Sequence, residues 1–497
     1  MALRNRWSVP WGEVPVLDVE ALRAHVAGAV RGGARLCLLF GVPEPDGATR
    51  LVAILADDAA GRLEAGSARV RRAYPAFTPE CQAAHAFERE LAEQCALTPE
   101  GHPWLKPLRR HPPDHAAPAA TAAGYDRAAY PFARVAGGQT HEVAVGPVHA
   151  GIIEPGHFRL QAQGEDVLFL EIVLGYQHRG VERLLETLPP ERAMWVAESI
   201  AGDTVIGHAE AHCGALEALA RCQKGVRAQS VRAIALELER LANHLGDLGA
   251  LAGDVAYAPA AAHLGRLRGD CLNLLLELSG NRFGRGLVRP GGVQLDFTPA
   301  LAAAFARRLA TLAEEAGEAL ALTLGNESVR ARFEGVGAVA RADCEALGFV
   351  GPVARACGVA RDVRHDHPYG AFRFTQIPVA TAWAGDVEAR ALVRQLEIAR
   401  SLEFLREHVA RLPAGPARQA AGALRPDELV VALTEGWRGE IAHAVLTGPD
   451  GAIRRYKVKD PSFHNWSAVA LAMQGNQVSD FPLCNKSFNL SYAGHDL

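Results

Sequence analysis

At 497 residues and 53.0 kDa the chain exceeds one ordinary domain of roughly 100–200 residues, so two or more domains are expected. Its 49% hydrophobic content excludes wholesale disorder, and 52 basic against 56 acidic side chains argue against nucleic acid as a partner. No uninterrupted apolar run approaches the roughly 18–20 residues that span a bilayer, and Met1 to Pro15 reads as lacking an export signal. The nine cysteines include no Cys-x-x-Cys, so no zinc site, cluster or redox motif is expected, and the thiols are expected to be reduced.

The first unit, expected over residues 1–108, opens with strands at Ala34–Phe40 and Ala48–Ala56 around the turn Pro43-Glu44-Pro45-Asp46-Gly47. A helix follows over Ala84–Leu97. Residues 109–140 turn to Pro, Ala, Gly and His, the composition of a linker. Phe158–Gln163 and Val167–Val173 flank Gly164-Glu165-Asp166 and predict a hairpin. The middle is helical: Ile234, Leu238, Leu241, Leu245 and Leu248 form one apolar stripe, and Glu237, Arg240, His244 and Asp247 form a polar stripe on the same helix. Leu264 to Leu278 repeats the apolar pattern up to Ser279-Gly280, and helices are predicted over Pro299–Leu324 and Val387–Leu412. Ile441–Leu446 and Ile453–Val458 predict a last hairpin. The fold class is therefore α+β: a small N-terminal α/β domain, then a large, mostly helical-bundle domain over 141–497 with peripheral β-hairpins.

Three stretches could carry chemistry. His208-Ala-Glu-Ala-His212 has the i, i+4 spacing of a helical metal chelate, although two helix-face histidines at a protein contact fit it better, since no third ligand is evident. The loop Gly146–Arg159 carries His149, Glu154 and His157 among glycines and prolines, and reads equally as a proton-donating loop or a plain hairpin. Arg355, Arg361, Arg364, His365, Asp366 and His367 fall within 13 residues, either an interface loop or a site. No phosphate-binding glycine motif is present.

Taken together, Gly146–Leu160, Leu174-Gly-Tyr-Gln-His-Arg-Gly-Val-Glu182, Leu238–Gly249, Gly351-Pro-Val-Ala-Arg355 and Arg361–Tyr369 resemble the large subunit of energy-converting (group 4) [NiFe] hydrogenases. That family is homologous to the 49 kDa subunit of respiratory complex I. Phe87-Glu-Arg-Glu90 and Gly101–Leu108 are similar to the complex I 30 kDa subunit, fused at the N-terminus as in formate hydrogenlyase.

In the hydrogenases two Cys-x-x-Cys pairs hold nickel and iron. The matching positions here are Ala201, Thr204, Ser491 and Gly494, none a thiolate, and methyl, hydroxyl and hydrogen cannot replace such donors for a low-valent centre. No metal or other cofactor is expected on this chain, and hydrogen activation with altered ligands is a remote alternative. The complex I relatives use the vacated cavity for quinone. That resemblance implies His157 and Asp254 as the pair at a quinone headgroup, with His149, Asp203, His208 and Tyr492 as further pocket residues. It also implies an oxidoreductase subunit bound peripherally on the cytoplasmic side of a bacterial-type plasma membrane. Its partners would be a small [4Fe-4S] subunit, met by Arg355, Arg364 and His367, and antiporter-like and other membrane subunits. A non-catalytic scaffold is the rival expectation.

Overall fold

A computed structural model describes residues 1–111, 115, 130–149 and 153–497. Most of the linker expected over 109–140 therefore lies outside the described residues, as do three residues of the Gly146–Arg159 loop. The N-terminal strands form where the β-branched and leucine-rich runs predict them. Arg35–Pro43 pairs antiparallel with Thr49–Asp57, which pairs with Arg62–Val70. Ala2–Leu3 and Val16–Leu17 add to the far edge, and the helix Val19–Arg31, capped by the Asp18 carboxylate on Glu20 N, packs on this sheet. That helix and the third long strand are not among the elements read from the sequence.

The large unit is built on four long helices. Val226–Asp254 packs along Ala258–Ser279 and Val387–Ala410, and Pro299–Leu324 closes the bundle against the latter two. Their ends follow the local chemistry. Pro299 follows a Thr298 cap whose hydroxyl accepts from Leu301 N, and Gly280 ends its helix with φ 75°, a left-handed conformation that glycine adopts without strain.

Thr140–Val145, His157–Gln163 and Asp166–Val173 make a three-stranded sheet at the edge of the molecule. The C-terminal hairpin has a different setting. Glu428–Gly436, Gly439–Thr447 and Ile453–Lys459 form an antiparallel sheet lying inside the protein rather than at its periphery. The two central strands are buried along their whole length because both faces are apolar: Leu429, Val431 and Leu433 join the main core, while Val430 and Ala432 join a second cluster with Ala215 and Leu219. Val9–Pro10 pairs with Glu428–Leu429 as the fourth strand, so the first residues of the chain are stitched into its last sheet. Asn5 Nδ2 donates to Leu433 O at 3.3 Å, and Arg35 ion-pairs with the buried Glu440.

Candidate functional site

The C-terminal segment brings the scattered sequence motifs together. The short helix Tyr492–Asp496 is capped by Ser491, whose hydroxyl accepts from Gly494 N at 2.8 Å. Asp496 accepts from Gly175 N and Gln177 N, both at 2.8 Å, and Arg179 N donates to Leu497 O at 2.7 Å. Thus Leu174–Glu182 is the clamp that holds the chain end. Glu154, from the Gly146–Arg159 loop, accepts from Tyr492 N at 3.1 Å and Ala493 N at 3.3 Å on the other side. Arg179 Nη2 donates to Ile200 O at 2.9 Å and to Ala493 O at 3.3 Å, tying the tail to the segment that runs through Ala201 and Thr204 into the helix Val205–Leu219.

All four positions expected to match the hydrogenase thiolates are buried. Charged side chains lie against two of them, Thr204 and Gly494. Arg438 sits in the two-residue turn Trp437-Arg438, between Gly436 and Gly439. Its guanidinium grips Asp203 through two bonds, Nη1 to Oδ1 at 2.5 Å and Nη2 to Oδ2 at 2.8 Å, and Nη1 also donates to Thr204 Oγ1 at 3.2 Å. Asp460 lies against Gly494: a Cβ at 494 would come within 2.6 Å of its Cγ and 2.8 Å of Oδ2. A cysteine there has no room, and the cation at Thr204 opposes a second cation. The nearest thiols by sequence are engaged elsewhere, Cys213 with Met194 Sδ and Cys484 beneath Gly337. The donor set does not fit a nickel–iron centre. Among the described residues no group of three or more His, Cys, Asp or Glu side chains is placed to hold any metal ion.

Electrostatics around this core are set by burial. Burial drives the Asp460 carboxyl upward, but the hydrogen bond from His208 and the field of Arg438 overcome it and hold it below the usual carboxylate range. Glu239, which accepts from Ile206 N at 2.7 Å and Gly207 N at 3.1 Å, is pushed up to about 8 by burial and by nearby Asp203.

His208 and His212 are fully buried rather than on a contact face. His208 Nε2 lies 2.9 Å from Asp460 Oδ2 and Nδ1 lies 3.1 Å from His443 Nε2, while His212 Nδ1 meets Tyr456 OH at 2.8 Å. Tyr492 packs on Gly156 and Trp466, and burial raises its phenol to about 12. His149 Nε2 lies 3.0 Å from Gly156 O. The described part of the Gly146–Arg159 loop, taken with the end of the helix Val226–Asp254, is called the rim below; in it His157 is half-buried, with Nδ1 3.3 Å from Gly146 O and its ring against Phe132. Asp254 ends the long helix and pairs with Lys486, leaving Oδ2 buried and without a partner among the described residues. Among the described residues no hydrogen bond joins His157 to Asp254.

The three residues expected to meet a partner are internal in this chain. Arg355 ion-pairs with Glu397 and Glu435, both at 2.8 Å. Arg364 pairs with Asp362 and Glu237, and His367 Nε2 is 2.9 Å from Asp58. Arg364 thereby reaches Glu237 on the polar stripe of Val226–Asp254, where His244 also lies 2.7 Å from Glu397 and Asp247 holds Arg394. The burial of the two arginines goes with this pairing, since a buried guanidinium needs carboxylates beside it.

Sequence reasoning did not single out Asp460, Arg438, His443, Tyr456 or Glu239. The bracketing glycines around Arg438 and the Asp460-Pro461-Ser462 turn after a strand were the available signals.

Comparisons with known proteins give the family. Residues 254–428 match the family model of the respiratory-chain NADH dehydrogenase 49 kDa subunit. The chain is 31% identical to the carbon monoxide-induced hydrogenase of Rhodospirillum rubrum over 351 residues, 70% of this chain and 97% of that protein. It is 29% identical to formate hydrogenlyase subunit 5 of Escherichia coli K12, over 85% of this chain and 77% of the relative. The membrane-bound hydrogenase subunit alpha of Pyrococcus furiosus is 29% identical over 68% of this chain and 83% of its own. No helix among the described residues is long and apolar enough to cross a membrane. The chain belongs to the family that unites the large subunits of energy-converting hydrogenases with the 49 kDa subunit of complex I.

Proposed function

We propose that the chain is a metal-free large subunit of a membrane-associated, complex I-related redox complex. It binds quinone or another small redox partner beside a [4Fe-4S] cluster held by a small partner subunit, and couples electron transfer to ion movement through antiporter-like membrane subunits. The carrying observation is the replacement of the four thiolate positions by Ala201, Thr204, Ser491 and Gly494, with Asp460 and Arg438 filling the space around them. A peripheral place on the cytoplasmic face of the membrane fits a chain without a spanning helix among its described residues.

The chemistry this reading asks of the chain is proton supply. A quinone takes up two electrons from the cluster and two protons, becoming a quinol, and the protein must deliver those protons as charge develops on the headgroup oxygens. His157 at the rim carries an imidazole, a group able to take and give a proton, and Asp254 keeps one buried carboxylate oxygen free of partners among the described residues. Both belong to elements that pack near the clamped chain end, and neither is tied into the internal ion network.

The test is turnover of the assembled complex with His157→Ala and Asp254→Ala. Loss of quinone-linked activity with intact assembly supports the reading, and full activity in both variants removes it. A scaffold reading is favoured by one observation, the filling of the 494 side by Asp460. It predicts that no variant around the clamped tail changes electron transfer while assembly persists.

A further inference from the structure

Five side chains form a single buried file. Asp460 Oδ2 lies 2.9 Å from His208 Nε2, His208 Nδ1 lies 3.1 Å from His443 Nε2, and His443 Nδ1 lies 2.8 Å from Tyr456 OH. The same hydroxyl is 2.8 Å from His212 Nδ1. None of the five is more than 1% exposed. His208 and His212 come from one face of the helix Val205–Leu219, His443 and Tyr456 from neighbouring strands of the internal sheet, and Asp460 from the turn that ends the last strand.

With one proton on each imidazole ring, every bond in the file has a single direction. Asp460 is ionised and only accepts, so His208 donates from Nε2. With its one proton there, His208 accepts at Nδ1 from His443 Nε2–H. His443 in turn accepts at Nδ1 from the Tyr456 hydroxyl, and the phenol oxygen accepts from His212 Nδ1–H. His212 is left with a bare Nε2, and that atom is buried with no partner among the described residues. A network built only to satisfy buried groups would end on a partner. This one ends on an open acceptor.

We infer that Asp460, His208, His443, Tyr456 and His212 form a one-proton relay that ends at the vacated metal site. A proton arriving at His212 Nε2 releases the Nδ1 proton to the Tyr456 oxygen. The Tyr456 proton passes to His443, the His443 Nε2 proton to His208, and the His208 Nε2 proton to Asp460. One proton enters, one carboxylic acid forms, and every bond in the file reverses, so the relay carries one proton at a time and resets by the reverse passage. Asp460 is the delivery point because it touches the position of Gly494.

Charged groups bear on the file from each neighbouring element: Arg438 acts on Asp460, Arg6 and Glu182 on His443, and Glu217 and Arg289 on His212. Entry is assigned to the side of Arg289. The helix Pro190–Ala197 and the strand Val288–Arg289 both pack on the helix that carries His212. Glu198, which binds Arg289 through Oε1, has its own buried and unpartnered Oε2.

That the delivered proton serves reduction at this site rests on the function proposed above. The relay itself does not, and its test needs no redox substrate. In the full-length chain labelled with ring-¹⁵N histidine, exchange of the His208 and His443 Nε2–H protons with solvent deuterium is followed by NMR, beside the backbone amides of the same elements. A relay exchanges the ring protons faster than those amides, and Tyr456→Phe slows the ring exchange by about tenfold or more without changing the amides. If Tyr456→Phe does not fold, His212→Phe keeps the ring stack on Tyr456, blocks the outer end, and is expected to slow exchange equally. Ring exchange as slow as the amides in the unsubstituted chain, or unchanged in the folded variant, overturns the relay. Slowed exchange in a complex without quinone turnover would retain the relay and remove only the redox reading.

Discussion

The clamped chain end and the rim loop hold the same residue types in opposite states. Around the tail, Asp460, Asp496, Arg438 and His208 are buried, and each makes two or more polar contacts to neighbours of known position. At the rim, His149 and His157 each meet one backbone carbonyl, and Asp254 has a free oxygen beside a partly exposed lysine. The interior groups are bonded to one another, whereas the rim groups leave polar capacity unspent. Around the positions expected to match the thiolates, the structure holds an ionic and hydrogen-bonded core.

Substitutions can break this contrast, and the largest effect is expected in the interior. Arg355→Met removes the cation that Glu397, Glu435 and Asp362 share in a dry setting and should cost about 3–5 kcal/mol in denaturant unfolding. A smaller loss would mean that Arg240 and Arg364 suffice to neutralise the cluster. Gly494→Cys forces a side chain against Asp460 and should cost ~3 kcal/mol, the upper end for overpacking, since the neighbour is charged and pinned by Ser462 N. The cost should shrink when Asp460→Ala is added, and additive costs in that double-mutant cycle would show that the two sites do not touch.

Acid sharpens the same comparison. Burial lowers His212 from 6.5 to about 4 and His102 to about 4, so both stay neutral in the folded chain as pH falls. The unfolded chain takes up those protons below about 6.5, so stability is full at pH 7 and is lost as pH falls from 6.5 towards 4. For fully buried His212 the loss at pH 5 is on the order of 2 kcal/mol, and His212→Phe should flatten the pH dependence of the melting temperature by that amount. His157→Ala should alter stability by about 0.5 kcal/mol or less while removing turnover. A large loss of stability would place His157 among the structural residues instead.

Legibility in the sequence divides along the same line. Helices with a sustained stripe were readable: Pro299–Leu324 ends where its proline and glycine place it. The polar stripe Glu237, Arg240, His244, Asp247 was visible too, but its role was not. Periodicity reports that side chains share a face, whereas only packing against Val387–Ala410 shows that the face is internal. The same limit applies to His208 and His212, whose partners His443 and Tyr456 lie more than 230 residues away. Charge-rich Arg355–His367 resembles a solvated loop by composition, and its burial depends on carboxylates from Asp58, Glu237, Glu397 and Glu435 that no local pattern connects. The tail clamp was half legible: Leu174–Glu182 stood out as a motif, but its contact with Asp496 is a product of the fold.

The central claim is most directly tested by metal analysis of the purified complex, with quinone-reductase and hydrogen-uptake assays on the same sample. The account predicts iron without stoichiometric nickel, quinone turnover and no hydrogen uptake. Stoichiometric nickel accompanied by hydrogen uptake would contradict it.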